Sequence, residues 1–180
     1  HHSKINSKLP GGNTEVKWHQ DFTFTPHTND DVVTALLMID DVTEENGPLE
    51  VAAGSHRGPL YSLWHGGTFT GAVDDQVAAD AQASSSVCLG SAGSVCLMHT
   101  CLMHGSQANR STRPRTLFIC VYSNVDAVPC SPSPMPNKHE GLIVHGEATN
   151  KVRTISYEME LPQLPSTASF FDQQANHSEG

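Results

Sequence analysis

His104-Gly105-Ser106-Gln107-Ala108-Asn109-Arg110-Ser111-Thr112-Arg113-Pro114-Arg115 links a histidine closing one apolar run to an arginine eleven residues on, at the start of another. Before it lie two strand candidates, residues 93–98 and 100–104. After it, residues 116–124 (TLFICVYSN) are β-branched, aromatic and flanked by turn residues, which is strand composition. The Gly, Ser, Asn and Pro between these runs supply turn chemistry. One histidine cannot hold a metal, so partners are sought elsewhere in the chain.

They are found upstream in Glu15-Val16-Lys17-Trp18-His19-Gln20-Asp21, which alternates in character and follows the turn signal Pro10-Gly11-Gly12-Asn13. On a strand, His19 and Asp21 face the same way. Two histidines and one carboxylate form the facial set that leaves open positions on a mononuclear iron(II), and the third member has to come from a distant strand. His-x-Asp alone is a weak signal. His145-Gly146-Glu147 is a second instance, followed only by His177 in the tail, and is discounted. His99 competes with His104 as the third ligand, since CLMH occurs at both 96–99 and 101–104. It stands an odd number of residues away, which on a continuous strand turns it to the opposite face.

The rest of the chain reads as one compact β-rich domain over residues 1–180, with residues 165–180 a frayed tail. Residues 34–42 form a buried strand and 49–52 a short one; residues 64–86 are a surface excursion, partly helical. The Pro-rich stretch 129–136 closes the core, and the residues after it are peripheral apart from a short helix near 139–145. The net charge of −9, with five Arg and five Lys, leaves no phosphate-tracking surface, so nucleic acid is excluded as a partner. Five cysteines without CxxC spacing fit free thiols in a reducing, cytoplasmic compartment. No apolar stretch approaches membrane-helix length and no charged-then-apolar leader opens the chain, so no membrane partner is expected.

Several linked motifs stand in order: Trp18-His19-Gln20-Asp21, then Glu44-Glu45-Asn46-Gly47-Pro48-Leu49, then Gly54-Ser55-His56, then the His104 to Arg115 segment. In these the sequence resembles the phytanoyl-CoA dioxygenase family of Fe(II)/2-oxoglutarate-dependent oxygenases, over residues 4–124. The resemblance implies a double-stranded β-helix, a cupin-like jelly roll of two antiparallel sheets with the metal between them. It further implies Fe(II) held by His19, Asp21 and His104, with 2-oxoglutarate and O₂ as co-substrates and ascorbate as an assay additive. Arg115 matches the position that grips the distal carboxylate of 2-oxoglutarate, a task suited to a planar donor fork. Ser106 matches a hydroxyl near the same carboxylate, and Asn6, in the alternating His2, Lys4, Asn6 stretch, a polar position bordering the co-substrate. Members of the family carry further helices and strands before the Trp-His-x-Asp strand, so the chain is expected to lack the usual N-terminal part.

The reaction implied is hydroxylation of a small organic molecule, with 2-oxoglutarate converted to succinate and CO₂. Related halogenases have a small residue where Asp21 stands, which favours hydroxylation here, while desaturation and ring closure depend on substrate placement. A catalytically silent jelly-roll binding module and a cupin-like metalloenzyme that does not use 2-oxoglutarate are the rivals. Phe22, Phe24, His27, Trp64 and His65 are candidates for the substrate pocket, and His56 for a hydrogen-bonding residue near its entrance. Arg110 and Arg113 read as solvated charges.

Overall fold

The computed structural model describes residues 1–164 and Gln174, so the expected frayed tail at 165–180 lies, apart from Gln174, outside the described residues. In chain order the strands are β1 (Ser3–Lys8), β2 (Val16–His19), β3 (Val32–Met38), β4 (Leu49–Ala52), β5 (Trp64–His65) and β6 (Thr68–Phe69). A helix, α1 (Asp75–Ala83), precedes β7 (Ser85–Cys88), β8 (Val95–His99), β9 (His104–Ser106) and β10 (Arg115–Ser123). Two four-stranded sheets result, β1-β10-β3-β8 and β2-β9-β4-β7, and all their pairings are antiparallel. This is the expected jelly roll.

The long strands explain the layering. In β3 and β10 every second residue is buried, so Val32, Leu36, Met38, Leu117, Ile119 and Val121 point into the sandwich. Leu36, Met38, Met98, Leu117 and Ile119 form one core cluster. Trp18, Ala52, Leu63, Phe69, Val73, Ala81 and Met103 form another, beneath α1. Each Val, Leu, Ile, Phe or Met among them, fully buried, contributes roughly 1.5–3 kcal/mol.

Several local expectations need correction. Residues 64–86 are no mere surface excursion, because the β5–β6 hairpin, the link after it and α1 deliver Phe69, Val73 and Ala81 to the core, and Ser85–Cys88 adds an edge strand to β4. Polar spacing hid this, since α1 buries only Ala81. Residues 100–103 make a turn, closed by Leu102 N–H donating to His99 O at 2.9 Å, so the strand begins at His104. Residues 139–145 form exposed turns and no helix; Gly141, at φ +76°, adopts a conformation that interrupts one. The segment after it is partly packed: the Tyr157 hydroxyl donates to His27 O, its ring meets Phe22 edge-on, and Arg153 pairs with Asp31 and Asp126. Among the described residues no helix is long and apolar enough to cross a membrane.

Candidate metal centre

Strands β2 and β9 pair so that His19 lies opposite His104, with a register shift between Val16 and His19. The glycine of the His-Gly-Ser motif permits this approach, since a Cβ on Gly105 would stand 3.0 Å from Val16 O and 3.4 Å from the Trp18 ring. Asp21 is not on the strand. It opens a short 3₁₀ turn, Asp21–Thr23, yet its carboxylate reaches the Nε2 atoms of both histidines. Asp21 Oδ1 stands 3.5 Å from His19 Nε2 and 3.6 Å from His104 Nε2, and one ligand atom from each of the three residues falls within 4.8 Å of the others.

Both tautomers are fixed by the backbone. His19 Nδ1 lies 2.8 Å from Lys17 O and His104 Nδ1 2.8 Å from Leu102 O. A carbonyl only accepts, so each Nδ1 carries the proton and each Nε2 presents a lone pair to the shared point. Thr34 Oγ1 donates to Asp21 Oδ2 at 3.0 Å, which orients the carboxylate. Burial opposes ionisation of Asp21, but the positive charge that His104 and His19 carry when protonated, together with that of Lys4, holds its carboxyl well below the usual carboxylate range. Burial, then His19, push His104 down to about 4, so it is neutral at pH 7. A carboxylate and two imidazole lone pairs form the set suited to an open facial metal site.

The cavity at this point is also lined by Asn6, Ser106 and Arg115, and walled by Leu36, Leu49, Met98, Leu117 and Ile119. Arg115 is 2% exposed, its Nη1 donates to Asn6 Oδ1 at 3.2 Å, and its Nε has no acceptor. Burial lowers the guanidinium to about 10, so it keeps its charge at neutral pH. A buried cation with an orphaned donor facing a cavity is costly without an anion. The site's chemistry therefore fits a metal beside an anionic ligand.

The loop motifs prove to be supports. Asn109 Nδ2 donates to Lys8 O and Arg113 O, and its Oδ1 accepts from Ser111 N, which sets the approach to Arg115. Asn46 staples its own turn through Asp41 O and Thr43 N. In Gly54-Ser55-His56, Ser55 Oγ accepts from Met103 N at 2.8 Å, directly before His104; the His56 ring stands 5.6 Å from that of His99 instead of serving the cavity. His99 lies apart from the triad, its Nε2 3.8 Å from Asp30. A turn separates the two CLMH copies, so it is this turn, and not parity along one continuous strand, that keeps His99 from the metal point. Of the suggested pocket residues, Phe24 meets the His19 ring edge-on at 5.5 Å, while Phe22 and His27 are core residues and Trp64 and His65 belong to the hairpin. Arg110 and Arg113 are exposed.

Three residues escaped the sequence reading: Thr34, Lys4, which lines the cavity, and Lys8, whose ammonium donates to Ser106 O at 3.0 Å and to Gln107 O. The signal for the lysines was the alternation itself, since Lys4 and Lys8 share the inward parity of Asn6.

Comparison with known proteins agrees with this geometry. The family model of phytanoyl-CoA dioxygenase (PhyH) matches residues 1–117. A probable alpha-ketoglutarate-dependent hypophosphite dioxygenase of Stutzerimonas stutzeri is 34% identical over 90% of this chain and 58% of its own length. L-proline trans-4-hydroxylase of Streptomyces griseoviridis is 30% identical over 72% of this chain and 56% of its own. The chain thus spans little more than half the length of these relatives. Among solved structures, EctD from S. alaskensis with 2-oxoglutarate and 5-hydroxyectoine is 26% identical, with a TM-score of 0.59 over 88% of this chain and 55% of that one. EctD with bound Fe is 28% identical, with a TM-score of 0.57 over 68% and 43%. With the family model matched over most of the chain and relatives of the same chemistry aligned along its fold, the chain belongs to the phytanoyl-CoA dioxygenase family.

Proposed function

We propose that this chain forms the catalytic core of an Fe(II)- and 2-oxoglutarate-dependent dioxygenase that hydroxylates a small organic molecule. His19, Asp21 and His104 would hold the iron, and Arg115 the distal carboxylate of 2-oxoglutarate, with Ser106 and Asn6 beside it. The carrying observation is the pairing, in one cavity, of the triad with a buried guanidinium that has an orphaned Nε. When bound, the iron and the oxo acid supply the oxidising power: 2-oxoglutarate loses CO₂ to give succinate, one atom of O₂ entering succinate and the other the substrate. Lys17 O and Leu102 O keep the imidazole protons on Nδ1, Thr34 aims Asp21, and Asn6 holds one arm of the Arg115 fork. The apolar wall from Leu36 to Ile119 excludes water and strengthens each charge interaction within.

The experiment measures iron content and, with Fe(II), ascorbate, 2-oxoglutarate and O₂, succinate release. His19→Ala, Asp21→Ala and His104→Ala should each lose iron and turnover, while His99→Ala keeps both. Full iron occupancy and activity in His104→Ala would overturn the assignment. Succinate formation also separates this reading from a silent binding module, and its dependence on Arg115 from a metalloenzyme that does not use the oxo acid.

A further inference from the structure

Each sheet of the sandwich ends on an edge strand, β7 in one and β8 in the other, and each of these edges carries a cysteine. Cys88 stands opposite Leu49 in the β4–β7 register, and Cys96 opposite Leu36 in the β3–β8 register. Paired residues share a face of their sheet, and Leu36 and Leu49 line the metal cavity, so both thiols turn inward beside its wall. Cys96 packs against the core cluster of Leu36 and Met98. The two thiols hydrogen-bond to each other across the gap between the sheets. The chain joining them is held in place. Gly90 and Val42 exchange backbone hydrogen bonds, Gly93 N–H donates to Met38 O at 2.8 Å, and a Cβ on Gly90 would stand 2.8 Å from Met38 Sδ. Both thiols are half-buried, within reach of a small reagent, whereas Cys101 is buried. The bond from Cys96 brings the Cys88 thiol down to about 7 against the opposing effect of burial, so much of it is thiolate, the attacking species, at neutral pH.

We propose that Cys88 and Cys96 are a reversible dithiol–disulfide site which, by exchange with a small disulfide, clips the two sheets together at the flank of the metal cavity. The Cys88 thiolate attacks one sulfur of the reagent, whose S–S bond breaks and whose other half leaves as thiolate. Cys96 then attacks the Cys88 sulfur of the mixed disulfide, forming the Cys88–Cys96 bond and expelling the second half, which takes the Cys96 proton. Two protein thiols lose two electrons in all, and one small disulfide is reduced to two thiols. Such a bond forms without backbone movement only where the two side chains already meet, as they do here.

The test incubates the Fe(II) protein under nitrogen with glutathione disulfide, then alkylates the remaining thiols under denaturing conditions and maps the peptides by mass. The count of free thiols should fall by two from the five the chain carries, with a Cys88–Cys96 cross-linked peptide, and dithiothreitol should restore all five. Cys96→Ser should stop at a glutathione adduct on Cys88, Cys88→Ser should carry no adduct on Cys96, and Cys120→Ser should form the cross-link as the parent does. The map of the parent needs no variant to fold. Five free thiols in the parent after exchange overturn the proposal. So does glutathione retained on Cys88 beside a free Cys96, or a bond that joins other cysteines or two copies of the chain.

Discussion

Replacing Arg115 tests the co-substrate half of the site, because its environment makes two opposite demands. Its guanidinium is 2% exposed, is held by Asn6 through Nη1 alone and leaves Nε without an acceptor. With 2-oxoglutarate bound, removal of the fork leaves a buried carboxylate unpaired, a loss of roughly 3–5 kcal/mol. At 1.4 kcal/mol per decade this weakens binding about a hundredfold to several thousandfold. Arg115→Lys should recover part of it, keeping the charge without the bidentate geometry. Without 2-oxoglutarate the sign reverses, since Arg115→Leu replaces an unpaired buried cation by an apolar group, which should leave stability unchanged or raised. The assay is 2-oxoglutarate titration of the anaerobic Fe(II) protein by its chelate absorption, with thermal melts run with and without the oxo acid. Iron content should match the parent in all three variants. Arg115→Ala binding 2-oxoglutarate as tightly as the parent would refute the reasoning, and Arg113 offers no replacement for the role, because it is exposed and lies before the strand.

Two further outcomes concern residues behind the site. Burial, and next the charge of Arg115, push Lys8 down to about 7, against the opposing pull of Glu15 and Glu50. The unfolded chain then binds more protons than the folded one between about pH 7 and about pH 10, so stability should rise with pH across that window. Urea unfolding at several pH values should show that rise in the parent and its loss in Lys8→Met; equal pH slopes would refute it. Gly105→Ala puts a Cβ 3.0 Å from Val16 O, forcing β2 from β9, and should cost about 1–3 kcal/mol and weaken iron binding by separating His19 from His104. Unchanged melting and iron affinity would refute that.

What the sequence made legible was the set of residues whose spacing is local. Leu49–Ala52 was read to the residue, because turn chemistry brackets it on both sides. The triad was legible because its members carry the motif. What escaped was whatever depends on cross-sheet packing. Thr34 reads as one polar residue in an apolar strand, and only the fold brings it to Asp21. Lys8 reads as a surface charge before a turn, and only the register with Arg115 buries it. Phe69 and Val73 lie among polar and glycine residues, and their burial comes from the shape of the hairpin and α1, which no periodicity announces.

The same register shows why the motif from His104 to Arg115 must be continuous. β9 belongs to one sheet and β10 to the other, so this segment is the strap across the sandwich at the end where the cavity lies. His104 hangs from its first residue and Arg115 from its last. Lys8 ties β1, the neighbour of β10, to Ser106 O and Gln107 O on the β9 side, and Asn109 ties the middle of the strap to Lys8 O. Gly47 closes in from the β4 side, where at φ +76° a Cβ would stand 2.5 Å from Gln107 O. The distance between His104 and Arg115 is therefore set by one cross-linked loop, pinned at the buried Asn109, instead of by two independent strands. The proposed grip on both ends of one small oxo acid would need such a fixed span, and residues 107–114 are the chain that crosses between the sheets to supply it.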